Sequence, residues 1–482
     1  MILRLPPSPT GSLHLGTART ALFNFLCAKK NNGELLFRCE DTDAERSKKE
    51  FEKEILDGLK WLGMDFEKIS PKIFRQTDNL KIHQKYLKIL WEQKKIFPCF
   101  STKEEIAAKR KKAEQNHENF VFWSPYRDED PAELEKKIQE KNFVWRFKTP
   151  QDKEITWTDE IRGKISVSTN TLGDFVIARN NESILYLLAN AIDDIEQKIT
   201  HIVRGEDGLP NTPKQILIFE ALDKSIPAYA HIPLVIDENK KKLSKRNVKE
   251  GICVLIKDFQ KAGFVPEAVV NGLVFLGWNP KSTEEIFSLD ELSQIFEIKN
   301  INSAASQYDF EKMRWFNYQW GQKLSLSQII NYFEYWVKNF YPEYEKFLDH
   351  KNLEKAIDVT RKKAKTFLEF PEEFEYLLKN PGIEIKKLLH EKFSINYDFA
   401  KKILTELLDM IEKIPENNFL QHNIFDSAVA LIKKLELKNG PVLHPFRVAL
   451  SNRERSASPF EIAEVLGKEE TKNRLKQALE KL

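Results

Sequence analysis

The 482-residue chain has little of what staples or anchors a protein. Its four cysteines, Cys27, Cys39, Cys99 and Cys253, stand far apart with no Cys-x-x-Cys spacing. That excludes a disulfide framework and fits a reducing compartment, the cytoplasm. Long apolar runs are missing as well: the opening MILRLPPSPTG has early prolines and no hydrophobic stretch, so it reads as neither signal peptide nor membrane span, and no membrane partner is expected. There is no excess of one charge, since 76 Lys and Arg face 73 Asp and Glu for a net charge of +3. A polyanion site must therefore come from local clustering. Internal repeats, low-complexity tracts and a proline-rich linker are absent, and so is the glycine fingerprint of a dinucleotide site.

What is present is a chain that is 41% hydrophobic and 31% charged, able to bury several cores, and long enough for about three or four compact units. ILRL is a short strand that PPSPTG breaks, LGTARTALFNFLCAKKN carries Leu22, Phe23 and Leu26 at helical spacing, and ELLFRCED is a second strand. This order predicts a βαβ unit of the doubly wound α/β kind. From about residue 76 the pattern changes to charged helices (HQKYLKILWEQKK, TKEEIAAKRKKAEQ) and then to alternating strands (VWRFK, EITWTD, GKISVS, DFVIAR), a mixed insertion between two halves of the first sheet. ITHIVRGEDGL and AYAHIPLVID resume the buried strands, and a basic loop, KKKLSKRN, follows. Beyond about residue 315 only helices are expected. One face would carry Ile329, Ile330, Phe333, Val337 and Phe340, and another Ile403, Leu404, Leu407, Leu408 and Ile411.

Two segments carry chemistry. PPSPTGSLHLGTART lies at the strand-to-helix turn, where open α/β sheets bind ligands and a helix N-terminus favours phosphate. Gly11 and Gly16 allow close backbone approach there, and His14 can donate to a phosphate oxygen. Taken alone, His14 also reads as an ordinary histidine after a proline-rich turn. Residues 240–247, KKKLSKRN, place Lys242, Ser244, Lys245 and Arg246 where a mobile loop can stabilise charge developing on pyrophosphate. Taken alone, such a run is a solvated face or a nucleic-acid patch.

Together, PSPTGSLHLGTART and KLSKR resemble the HIGH and KMSKS signatures of class I aminoacyl-tRNA synthetases, and the wording is closest to the bacterial-type glutamyl-tRNA synthetase family. LLFRCEDTDAERS, ILYLLANAIDDIEQKITHIVRGED, GLPNTPKQ, YDFEKMRWFN and PFRVALSNRE are similar to strings of that family in the same order, so the resemblance covers essentially the whole chain. It implies a Rossmann-like parallel sheet in two halves (1–75 and 186–240), an α+β insertion that holds the tRNA acceptor stem (76–185), a KMSKS loop and stem-contact region (241–315), and an all-α anticodon-binding region (316–482). The implied reaction joins L-glutamate to ATP as glutamyl-adenylate, with Mg2+ accompanying the triphosphate, and passes the acyl group to tRNA(Glu). Charging of tRNA(Gln) beside it stays open, and a monomer is expected.

The resemblance also implies residue roles. Pro9, Thr10, Gly11, His14, Leu15, Gly16, Thr17 and Lys245 would meet ATP, and Lys242, Ser244, Lys245 and Arg246 would act with His14 and Gly16 in catalysis. Arg4, Ser8, Glu40, Tyr186, Asn190 and Arg204 match positions lining the glutamate pocket, with arginines for the carboxylates and Glu40 for the ammonium. Arg4 and Glu40 read equally as a strand-end ion pair, and Tyr186 and Asn190 as polar residues of a helix turn.

Three departures from the family stand out. Ile184-Leu185 precede Tyr186 where relatives carry Pro-Thr, and Leu187 follows it in place of a polar residue. Gly208 stands where many relatives have a bulkier side chain. The zinc ligands of some bacterial relatives are reduced to Cys99-Phe100-Ser101, with neither cysteine nor histidine in FWSPYRDED, so no zinc is expected and Cys99 reads as a small buried hydrophobe. Glutaminyl-tRNA synthetases read the anticodon with β-barrels, and a paralogue that glutamylates a tRNA nucleoside lacks the C-terminal region. The helical final third argues against both. A catalytically silent tRNA-binding regulator is opposed by intact HLGT and KLSKR.

Overall fold

A computed structural model describes residues 1–42, 45–70, 72–140, 142–179, 183–244 and 249–482. The chain forms two compact units, one of Met1–Asp258 with Val269–Phe310, the other of Phe259–Ala268 with Glu311–Leu482.

The first unit begins with strand β1 (Ile2–Leu5), which pairs in parallel with β2 (Glu34–Cys39), and β2 pairs with β3 (Ile73–Arg75). Three prolines after β1 remove ladder donors and end the strand. Helix α1 (Leu15–Lys30) follows, capped at its start by the His14 side chain and closed by Lys29 and Lys30 against its negative end. Leu15, Ala18, Leu22, Phe23 and Leu26 are wholly buried along it. Asn24 fixes α1 to the second half of the sheet by donating to the carbonyl of Val203 at 3.0 Å.

The insertion carries an antiparallel sheet of β4 (Ile96–Cys99), β5 (Val144–Phe147) and β8 (Val176–Ala178). It also carries a hairpin, β6 (Glu154–Asp159) with β7 (Gly163–Ser168). Alternate β6 residues Ile155, Trp157 and Asp159 are buried, the period of a half-buried strand. The sheet then resumes with β9 (His201–Gly205) and β10 (Ala228–Ile232) in parallel. Thr200, just before β9, donates its N–H to the carbonyl of Ile2 at 3.0 Å, so the two halves meet along β1. The β6 strand adds to the far side of β10 at Asp159 and Tyr229, so the hairpin expected within the insertion extends the catalytic sheet. Helix α2 (Tyr186–Glu196) precedes β9 and α3 (Thr212–Ala221) follows it, while β11 (Val235–Ile236) pairs with β12 (Ser306–Gln307).

Among the described residues of the second unit every regular element is helical. Helix α4 (Leu326–Phe340) starts with a reciprocal cap between Ser325 and Gln328 and buries Ile329, Phe333, Trp336 and Val337, while Ile330 and Phe340 are only half-buried. Phe333 lies 5.5–5.8 Å from the rings of Phe367, Phe370 and Phe374. Helix α5 (Tyr397–Lys413) buries Ile403, Leu404, Leu407 and Ile411 with Met410, while Leu408 is only half-buried. No described helix is long and apolar enough to cross a membrane.

Candidate active site

A cavity of about 690 Å³ opens at the carboxyl ends of β1, β2 and β9. That is the side on which open α/β sheets bind ligands. Its wall brings together Arg4, Ser8, Thr10, Gly11, His14, Gly16, Thr17, Glu40, Tyr186, Arg204, Lys242 and Ser244, which stand up to 240 positions apart in sequence. Lys245 and Arg246 lie outside the described residues. Pro9, Leu15 and Asn190 are buried and do not line the cavity.

At one end Arg4 and Glu40 of the wall are backed by paired charges that do not themselves line the cavity. Asp194 of α2 accepts from Arg4 Nε at 3.0 Å and Arg38 Nη1 at 2.7 Å on a single oxygen. Arg4 therefore pairs with Asp194, not with Glu40. Glu40 lies 3.5 Å from Arg38, and Asn190 donates to it at 2.5 Å while accepting from Gln215 at 2.8 Å. Asn190 thus acts from behind the wall. The next carboxylate, Asp193, lies 2.8 Å from His83 Nε2 and accepts from Gln76 and Asn79. Burial opposes the charge on Asp194, but Arg38 and Arg4 outweigh it and hold its carboxyl below the usual range. For Glu40, burial wins over Arg38, Arg4 and Asn190 and moves the carboxyl upward.

Arg4 Nη1 and Arg204 Nη1 are buried and have no hydrogen-bond partner among the described residues. Both residues line the cavity with Glu40, so one wall gathers two guanidiniums, each with a nitrogen unpaired among the described residues, and one carboxylate. Tyr186, 39% exposed, also lines the cavity.

The other end is built on α1. His14 Nδ1 accepts from the N–H of Gly16 at 3.1 Å, which places the neutral ring's proton on Nε2. That Nε2 is buried and unpartnered among the described residues. Burial, then the nearby Lys242 charge, lower the His14 pKa against a small opposing effect of Asp258, so the ring stays neutral. The Leu15 N–H is taken by the carbonyl of Val254 at 2.8 Å. The helix end accordingly offers its positive dipole and the His14 ring, not the Leu15 or Gly16 N–H. Lys242 pairs with Asp207 at 3.3 Å in an exposed contact.

Sequence reading missed Arg19, Arg38, Asp193 and Asp194. Arg19 lines the cavity and donates to the carbonyls of Leu276 and Pro233; burial lowers its pKa to about 10. A signal for the aspartates was present, because two adjacent carboxylates in the apolar run YLLANAIDDIE require buried cations. Gly208 also gains a physical reason: a Cβ there would stand 2.5 Å from Arg204 Nε. At the reduced zinc motif, Cys99 is buried and its sulfur accepts from the Ser124 hydroxyl at 3.3 Å.

Residues 1–315 match the family model for the catalytic domain of class I tRNA synthetases (E and Q), and residues 329–479 match an anticodon binding domain. The chain is 34% identical to glutamate–tRNA ligase 2 of Thermoanaerobacter pseudethanolicus and 35% identical to glutamate–tRNA ligase of Aquifex aeolicus, in each case over 99% of this chain and 98% of the relative. The crystal structure of a glutamate tRNA ligase from Elizabethkingia meningosepticum, solved in complex with its amino acid, superposes with a TM-score of 0.87 at 30% identity, covering 100% of this chain and 99% of that one.

Proposed function

The chain belongs to the glutamate–tRNA ligases among the class I aminoacyl-tRNA synthetases, and from that premise we propose that the cavity beneath the β1–α1 turn is where it activates glutamate. The enzyme charges tRNA with glutamate at the expense of ATP. The observation that carries the site reading is that Arg4, Arg204 and Glu40 line one cavity, and that Nη1 of each arginine is buried without a partner among the described residues.

In this reading the two arginines take the two carboxylates of glutamate and Glu40 takes its ammonium, so that each desolvated charge finds a partner. Burial moves the Glu40 carboxyl upward, and the bound ammonium favours its ionised form; glutamate affinity therefore falls as acid protonates Glu40. A carboxylate oxygen of glutamate attacks the α-phosphorus of ATP, the bond to the bridging oxygen breaks, and pyrophosphate leaves. No protein nucleophile is needed, and the chain's contribution is position and charge. His14 donates Nε2–H to a phosphate oxygen, and Lys242 adds positive charge beside it. A hydroxyl of the terminal adenosine of tRNA then attacks the activated carbonyl and releases AMP. Mg2+ would supply charge neutralisation to the triphosphate. The described residues offer it no group of three or more acidic, histidine or cysteine ligands, so no protein ligand is assigned.

The same proposal gives the acceptor stem to residues 76–185 and 241–315 and the anticodon to 316–482, supported by the anticodon-domain match. Four buried free thiols support action in a reducing cytoplasm. Light scattering tests the expected monomer. Full-length protein with Mg2+, ATP, labelled glutamate and tRNA(Glu) is expected to form a tRNA-linked ester that alkali releases. Bound tRNA without ester would instead favour a silent regulator. A parallel reaction with tRNA(Gln) decides whether that tRNA is also a substrate.

A further inference from the structure

Arg204 enters the cavity from the end of β9, and it is held by the fully buried His231 and Thr212 behind the wall and by the carbonyl of Gly208 in the wall. His231 is its register partner on β10 and is fully buried. His231 Nδ1 lies 2.6 Å from Asp159 Oδ2, and the His231 backbone N–H donates to Asp159 Oδ1 at 3.2 Å. That oxygen also accepts from the N–H groups of Ile161 and Arg162. An ionised carboxylate only accepts, so the ring proton sits on Nδ1 and Nε2 presents its lone pair. The lone pair faces Arg204 Nε at 3.1 Å and the Thr212 hydroxyl at 3.0 Å. Arg204 Nη2 donates to Thr212 Oγ1 at 2.8 Å and to the carbonyl of Gly208 at 3.0 Å. The guanidinium is thus held at two nitrogens, Nε and Nη2, while Nη1 is buried with no partner among the described residues of a side chain that lines the cavity. A guanidinium has no acceptor of its own, so the Nε–H needs this lone pair.

We propose that neutral His231, its tautomer fixed by Asp159, is a positioning residue that aims Arg204 at a carboxylate of bound glutamate. This rests on the reading of the cavity as the glutamate pocket. Asp159 is the third buried residue of the β6 row after Ile155 and Trp157, where a carboxylate has no packing reason to stand. The hairpin thereby supplies the far end of the support. A ring protonated on Nε2 would set N–H against N–H and release Arg204. The charged groups facing the ring are Asp159 of β6, Arg162 of the turn after it and Arg204 of β9; Thr212 of α3 contributes its hydroxyl, and the Tyr229 ring stacks at 5.9 Å. Burial, helped by Arg204 and Arg162, lowers the His231 pKa against the pull of Asp159, so the ring is neutral at neutral pH.

The test compares KM for glutamate with KM for ATP in charging of tRNA(Glu) by the full chain and its Arg204→Ala, His231→Leu, His231→Gln and Gly208→Ala variants. His231→Leu is expected to raise KM for glutamate roughly tenfold, the size of one lost hydrogen bond to a charged group, with KM for ATP within about twofold. His231→Gln, whose Oε1 can accept where Nε2 does, is expected to recover most of that loss. Equal rises in both KM values, or no recovery with a folded His231→Gln protein, would overturn the proposal. Should His231→Leu not fold, Gly208→Ala displaces the same guanidinium with the ring intact, and the same selective rise is expected; unchanged KM values contradict it. If Arg204→Ala itself leaves KM for glutamate unchanged, the pocket reading fails. If Arg204→Ala raises it and folded His231→Leu does not, only the positioning proposal fails.

Discussion

The two ends of the cavity are built by opposite means. Beneath the end proposed for the amino acid, Asp194 holds Arg4 and Arg38 at 2.7–3.0 Å, and all three are 0–1% exposed. At the nucleotide end, Lys242 and Asp207 are 61% and 65% exposed and meet at 3.3 Å. A small zwitterion loses its whole hydration shell and needs fixed partners. A triphosphate stays partly wet and its charge shifts during reaction, so a cation that can move serves it better. In the proposed reading, the difference separates a preformed recognition site from one that completes itself on substrate.

The largest test of this contrast is Asp194→Ala, which takes the carboxylate from both Arg4 and Arg38 and leaves Arg38 with Glu40 and Gln197. Breaking such a pair costs about 3–5 kcal/mol, to be read in urea unfolding, and a loss below about 1 kcal/mol would mean the network is not structural. His14→Ala should slow charging on the order of a hundredfold while leaving KM for glutamate nearly unchanged, since its Nε2–H belongs to the other end. Steady-state kinetics with tRNA(Glu) read both numbers. The smallest stability effect belongs to Lys242→Ala: its exposed ion pair contributes at most about 1 kcal/mol, so thermal unfolding should barely move although the charging rate falls.

The nucleotide end was the more legible in sequence. His14, Gly16, Lys242 and Ser244 stand in two contiguous strings whose turn and loop chemistry is local, and β1, α1 and β2 follow from breaks and periodicity. The support of the amino-acid end was not legible, because Arg38 and Asp194 stand 156 positions apart and Asp159 and His231 72 apart. Only the sheet order brings them together. The short strands β3 and β4 escaped for a related reason, since three or four residues carry too little alternation. Gly208 looked like an unexplained departure until Arg204 was seen against it.

Arg4 and Arg204 are proposed to form a glutamate pocket separate from the His14 end. The most direct measurement is the pair of KM values for glutamate and ATP in tRNA(Glu) charging by Arg4→Ala. KM for glutamate is expected to rise by about 10- to 100-fold, as for a lost hydrogen bond to charge, while KM for ATP stays within about twofold. An unchanged KM for glutamate with a raised KM for ATP would contradict it.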